Sequence, residues 1–141
     1  MSLISVGVSA NHYSEAIAAA GDLLVAAGHV SPEYVQAMTR VVDELGPYMV
    51  LVEGFALAHA EPGSLVYKNS ISLAVLSEAV DFGSGKMVKA VFAMAAKDHD
   101  SHIEALGELA TLLSDEDLRN EVLTATDSGQ IGARLLSVLG E

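Results

Sequence analysis

The chain of 141 residues has no cysteine. That excludes disulfides, thiolate metal sites and a cysteine nucleophile. Basic residues are scarce, 7 against 19 acidic, and the formal net charge is -12. Such a chain repels nucleic acid and anionic lipid, so neither is an expected partner, and basic macromolecules are favoured. The bland account of the charge is that it keeps an apolar protein in solution. Tryptophan is absent, and three Phe and four Tyr lie scattered rather than interleaved with Lys and Arg. A stacking platform for bases is therefore not expected. No run reaches the roughly 18 apolar residues of a membrane span. The opening MSLISVGVSA lacks a basic region and a long apolar core, so no export signal is expected and a cytoplasmic location is. Repeats, linkers and low-complexity tracts are also missing.

What is present is apolar: 51% hydrophobic residues at a mean hydropathy of +0.40. One domain over 1–141 with a real core is the expectation. Tyr13 to Ala27 reads as a helix with a small-residue face, stopped at Gly28. Ser31-Pro32-Glu33 caps a second, amphipathic helix to Leu45, with Tyr34, Val35, Met38, Val41, Val42 and Leu45 at helical spacing. Gly46-Pro47 breaks it. Tyr48 to Val52 and Phe55 to Ala58 read as strands about a turn at Glu53-Gly54. Ser70 to Leu76 alternates, with Ile71, Leu73 and Val75 on one face. Asp81 to Lys86 is a connector without the spacing of a phosphate-binding loop. Met87 to Ala96 is nearly all apolar, as in a central strand covered on both sides. Ser101-His102-Ile103-Glu104 has the form of a capping box, which puts Ser101 at the cap and His102 at the first helical position. Two further helices begin near Ser114 and Ser128. The expected architecture is an α/β/α sandwich around a mixed sheet.

Five histidines are the only side chains that ordinarily titrate near neutrality. His12 and His29 stand in an exposed approach and a turn, where structural roles suffice. His99 and His102 are three apart, a weak metal signal, since His99 precedes the expected cap. His59 ends the run Gly54 to Ala58 and is followed by Ala60, Glu61 and Pro62. A strand delivering one titratable group to a sheet edge suits chemistry, although a lone histidine there serves equally as a structural residue. His102 at a helix start stands beside N–H groups that attract anions. If the strands before His59 and His102 are parallel neighbours, the two imidazoles meet.

Two motifs carry a family resemblance. Gly54-Phe55-Ala56-Leu57-Ala58-His59-Ala60 is similar to a G-[IF]-A-x-P-H-[AG] pattern, and Asp100-Ser101-His102-Ile103-Glu104-Ala105-Leu106 to D-S-H-[IL]-x-x-L. Over roughly residues 13 to 139 the chain resembles enzyme IIA domains of the phosphoenolpyruvate-dependent sugar phosphotransferase system. The class is mannitol/fructose, with the ascorbate-type branch nearest. The resemblance implies that His59 takes a phosphoryl group from the carrier HPr and passes it to a cysteine of an enzyme IIB partner. It implies that His102 supports the phosphoryl group, and the helix start at Ser101 and His102 is the expected phosphate-binding element beside it. No cofactor or resident metal is expected, and the membrane is involved only through a IIC permease. The sugar would be ascorbate or a relative, and a homodimer is left open. Departures are Ala58 for the usual Pro, Glu61 where Arg is frequent, and Arg40 followed by Val41 instead of an acid. An inward Glu61 would disfavour phosphorylation by about 1 kcal/mol. Arg40 and Glu61 are therefore secondary site candidates. The alternative function is a regulatory relative whose phosphorylation state is read by a partner. A metal-dependent activity at His99 and His102 is a third.

Overall fold

The computed structural model describes residues 3–139. Met1 and Ser2 of the N-terminal stretch, and the end of the 1–141 domain span, lie outside them. Ten elements follow in chain order: β1 (Ile4–Val8), α1 (Tyr13–Ala26), α2 (Pro32–Leu45), β2 (Val50–Val52), β3 (Gly54–Ala58), β4 (Ser70–Asp81), β5 (Met87–Ala95), α3 (His99–Leu113), α4 (Glu116–Leu123) and α5 (Ser128–Leu139). The five strands form one sheet in the order β1-β4-β5-β3-β2. β1 runs parallel to β4 and β3 parallel to β5, while β4–β5 and β2–β3 are antiparallel. The sheet is mixed, as expected, and β5 is its middle strand.

The apolar run of β5 follows from that place. Val88, Val91, Ala93 and Ala95 face a core shared with Ile17, Leu24 and Met38 of α1 and α2. Ala90, Phe92 and Met94 face a second core with Leu109, Leu118 and Leu135 of α3, α4 and α5. The result is the α/β/α sandwich. Each large side chain fully buried in these layers contributes roughly 1.5–3 kcal/mol. The small face of α1 lets α2 approach closely: a Cβ on Gly21 would lie 2.8 Å from Val35. Ser72, fully buried, donates to the Ala20 carbonyl at 2.6 Å and so fastens α1 to the sheet.

Three boundaries differ from the expectations. β1 is an additional strand. It pairs with β4 through Ile4↔Leu73 and Ser5↔Ala74, and its only local sign is a five-residue alternation of Ile4, Val6 and Val8 with Ser5 and Gly7. β4 continues past Leu76, through exposed Ser77, Glu78 and Ala79 and a bulge in its pairing with β5, to Asp81. Lastly, the cap of α3 is Asp98, not Ser101: the Asp98 carboxylate accepts the Ser101 N–H at 2.8 Å. An ionised side chain three residues earlier outcompetes the serine, so the helix gains a turn and includes His99.

Candidate functional site

The parallel ladder of β3 and β5 ends at Ala58↔Ala93. One strand delivers His59 immediately, and the other runs through Ala96 and Lys97 to α3 and His102. The imidazoles of His59 and His102 meet edge-on, with ring centroids 5.6 Å apart and planes at 63°. Both line a cleft of about 290 Å³ with His99, Ala60, Glu61, Pro62, Val41, Leu45 and Tyr48.

His59 is oriented by its own strand. Its Nδ1 lies 2.9 Å from the Leu57 carbonyl oxygen. A carbonyl can only accept, so Nδ1 carries the proton and Nε2 holds the free lone pair. The ring nitrogen available for attack is therefore Nε2. His102 is held below the usual histidine range, first by burial, then by the charges of His59 and His99. It is a neutral donor and acceptor near neutral pH.

The surrounding frame contains residues that the motifs did not single out. Tyr34, buried on α2, donates to the Met94 carbonyl at 2.6 Å and accepts the Ala60 N–H at 3.2 Å. Asn69 accepts the Lys97 N–H at 2.7 Å and donates to the Ser101 hydroxyl at 3.0 Å. It ties the loop before β4 to the start of α3. Neither residue has a sequence signature, because each acts across more than twenty intervening residues.

The secondary candidates fare differently. Glu61 lines the cleft but is exposed, where water screens its charge. Arg40 is exposed on α2 and is not part of the cleft lining. Ser101 is not part of the lining either. Its N–H is taken by Asp98, and the His102 N–H bonds the Asp98 carbonyl at 3.1 Å. The expected cradle at those two N–H groups is thus already occupied. What reaches the cleft from α3 is imidazole. His99 and His102 share the cleft, yet no group of three His, Cys, Asp or Glu among the described residues is arranged to hold a metal ion. His12 caps α1, accepting the Ser14 N–H, and His29 pairs with the Ser70 hydroxyl. Among the described residues no helix is long and apolar enough to cross a membrane.

Residues 1–137 match the family described as "Phosphoenolpyruvate-dependent sugar phosphotransferase system, EIIA 2". The chain is 35% identical over 131 residues to the mannitol-specific cryptic phosphotransferase enzyme IIA component of Escherichia coli, covering 92% of this chain and 89% of the relative. It is also 35% identical over 116 residues to an ascorbate-specific EIIA component of Salmonella choleraesuis, covering 80% and 75%. Its fold is similar to that of the mannitol IIA enzyme of Escherichia coli, solved in complex with phosphorylated enzyme IIB. There the TM-score is 0.83 at 29% identity, covering 99% of this chain and 94% of that one.

Proposed function

As a member of the phosphoenolpyruvate-dependent sugar phosphotransferase system EIIA 2 family, to which it belongs, the chain is an enzyme IIA phosphotransferase component, and we propose that it carries the phosphoryl group on His59 Nε2. The observation that carries this reading is the commitment of Nδ1 to the Leu57 carbonyl, which leaves Nε2 as the nucleophile in a cleft shared with His102.

The Nε2 lone pair attacks the phosphorus presented by phosphorylated HPr. An N–P bond forms as the donor's bond to phosphorus breaks. In the second step a cysteine thiolate of an enzyme IIB partner attacks, an S–P bond forms, and the N–P bond breaks to return neutral His59. This chain has no cysteine, so that thiolate belongs to the partner. Such transfers rest on alignment and charge stabilisation more than on covalent machinery. His102 supplies both: neutral, it donates an N–H to the phosphoryl oxygens, and the arriving negative charge favours its protonation. Exposed Leu45 and Tyr48, 66% and 70% accessible, flank the cleft and form an apolar rim suited to docking each partner in turn.

The carrier works in the cytoplasm and touches only phosphate and proteins, so its partners and the IIC permease select the sugar. The solvated position of Glu61 supports the carrier over the regulatory reading. Incubation with phosphoenolpyruvate, enzyme I and HPr should add one phosphate, and His59→Ala should abolish it. A folded wild-type protein that takes up no phosphate overturns the proposal.

A further inference from the structure

Direct pairing of β3 with β5 stops at Ala58↔Ala93. One step further, the two chain segments that carry the histidines diverge. A single oxygen fills the gap. The Tyr34 hydroxyl accepts the Ala60 N–H at 3.2 Å and donates to the Met94 carbonyl at 2.6 Å. The amide it holds is the one directly after His59. The carbonyl it holds lies on β5, a few residues before α3 and His102. Tyr34 is only 1% exposed and sits in the first turn of α2. Its position is rigid: Ser31 caps α2, and the Ser31 N–H bonds the Leu65 carbonyl at 2.8 Å.

We propose that the Tyr34 hydroxyl is a molecular spacer that sets the distance between the His59 and His102 segments, which makes Tyr34 a positioning residue for phosphoryl transfer. The functional half of this statement rests on the phosphocarrier reading of His59. A hydroxyl is suited to the task because one oxygen both donates and accepts, and so satisfies two backbone groups where the ladder has ended. Burial raises the phenol's pKa, which keeps that donor protonated. Small displacements at a reacting nitrogen are costly: a shift of about 1 Å from a remote change can lose on the order of 100-fold in rate.

Tyr34→Phe in the full chain keeps the ring and removes the spacer. Phosphate uptake from phosphorylated HPr should slow by at least about tenfold. The titration midpoint of His102, followed by NMR, should rise toward the ordinary histidine value, because both the burial that chiefly depresses it and the nearby His59 charge are loosened. Phe82→Leu, buried in the β4–β5 connection at the other end of the sheet, should lower the melting temperature as much and leave both readouts unchanged. If Tyr34→Phe retains the wild-type rate and the wild-type His102 midpoint, the spacer is refuted, whatever its melting temperature. Should that variant not fold, replacing Ala60 by lactic acid removes only the N–H. A smaller shift of the same kind is expected, and no shift refutes the proposal. A wild-type protein that takes no phosphate defeats the carrier reading alone, since the His102 titration still decides the spacer.

Discussion

The two ends of the sheet carry opposite kinds of cleft. At the starts of β3 and β5 lies the larger, about 890 Å³, lined by Lys86, Lys89 and Arg119, by the carboxylates of Glu53 and Glu116, and by apolar residues of β2. At the finishing ends lies the smaller, about 290 Å³, with three histidines and no lysine or arginine in its lining. In a chain with net charge -12, the cationic cleft would be the obvious place for an anion. Two of its three cations are already employed. Lys89 donates to the Leu123 carbonyl at 2.7 Å and Arg119 to that of Leu113, each at the end of a helix. Volume and charge thus mark a structural joint, and the reactive nitrogens mark the site.

Substitutions at the two ends should separate these roles. The largest effect is at the small cleft: His59→Ala should lose all phosphate uptake, with little change in melting temperature. At the large cleft the balance reverses. Gly54 has φ +87, a conformation that strains any other residue, and Leu123 packs 3.5 Å from where a Cβ would stand. Gly54→Ala should cost roughly 1–2 kcal/mol in denaturant unfolding. Lys89→Met should cost about 1 kcal/mol by freeing the Leu123 carbonyl, and phosphate uptake should persist. Loss of uptake in Lys89→Met without loss of fold would break the division between the ends.

Smaller effects sharpen it. His102 has a depressed pKa in the folded protein, so the unfolded chain binds more protons as pH falls through about 6.5. Stability should therefore be full above that pH and decline below it, and His102→Gln should flatten this part of the curve. Equilibrium unfolding at several pH values measures both. The smallest effect is at the rim. Glu61→Gln should speed phosphate uptake by less than about fivefold, because an exposed carboxylate is worth at most about 1 kcal/mol, and the gain should shrink with added salt.

Much of this site was legible in the chain. The apolar runs before His59 and His102 mark two buried strands, whose imidazoles meet on the condition that the strands are parallel neighbours. The observed β3–β5 ladder meets that condition, and the rings approach to 5.6 Å. Helix α2 announced itself through Ser31 and Pro32. Local patterns misled where two local solutions competed. Ser101 and Glu104 fit a capping box, yet Asp98 offers a charged acceptor at the same spacing from Ser101 and takes the cap. β1 carries the period-two alternation of a strand in Ile4, Val6 and Val8, yet the run is only five residues long and its partners Leu73 and Ala74 lie far along the chain, so it went unseen.

The sequence by itself determined the layers, the strand that leads to each histidine, and the chemistry of an imidazole at a sheet edge. These depend on residue type and period, which are local. Only the tertiary structure decided which nitrogen of His59 is free, that the Ser101 and His102 amides are already taken, that Glu61 faces water, and that Tyr34 bridges the two strand ends. The Tyr34 bridge joins distant segments, whereas the His59–Leu57, Ser101–Asp98 and His102–Asp98 bonds are near in the chain and depend on the backbone path that the fold imposes. The physical reason is one of precision: side-chain pattern selects a fold through many weak contacts, whereas a reactive site depends on a few bonds whose geometry only the finished packing fixes.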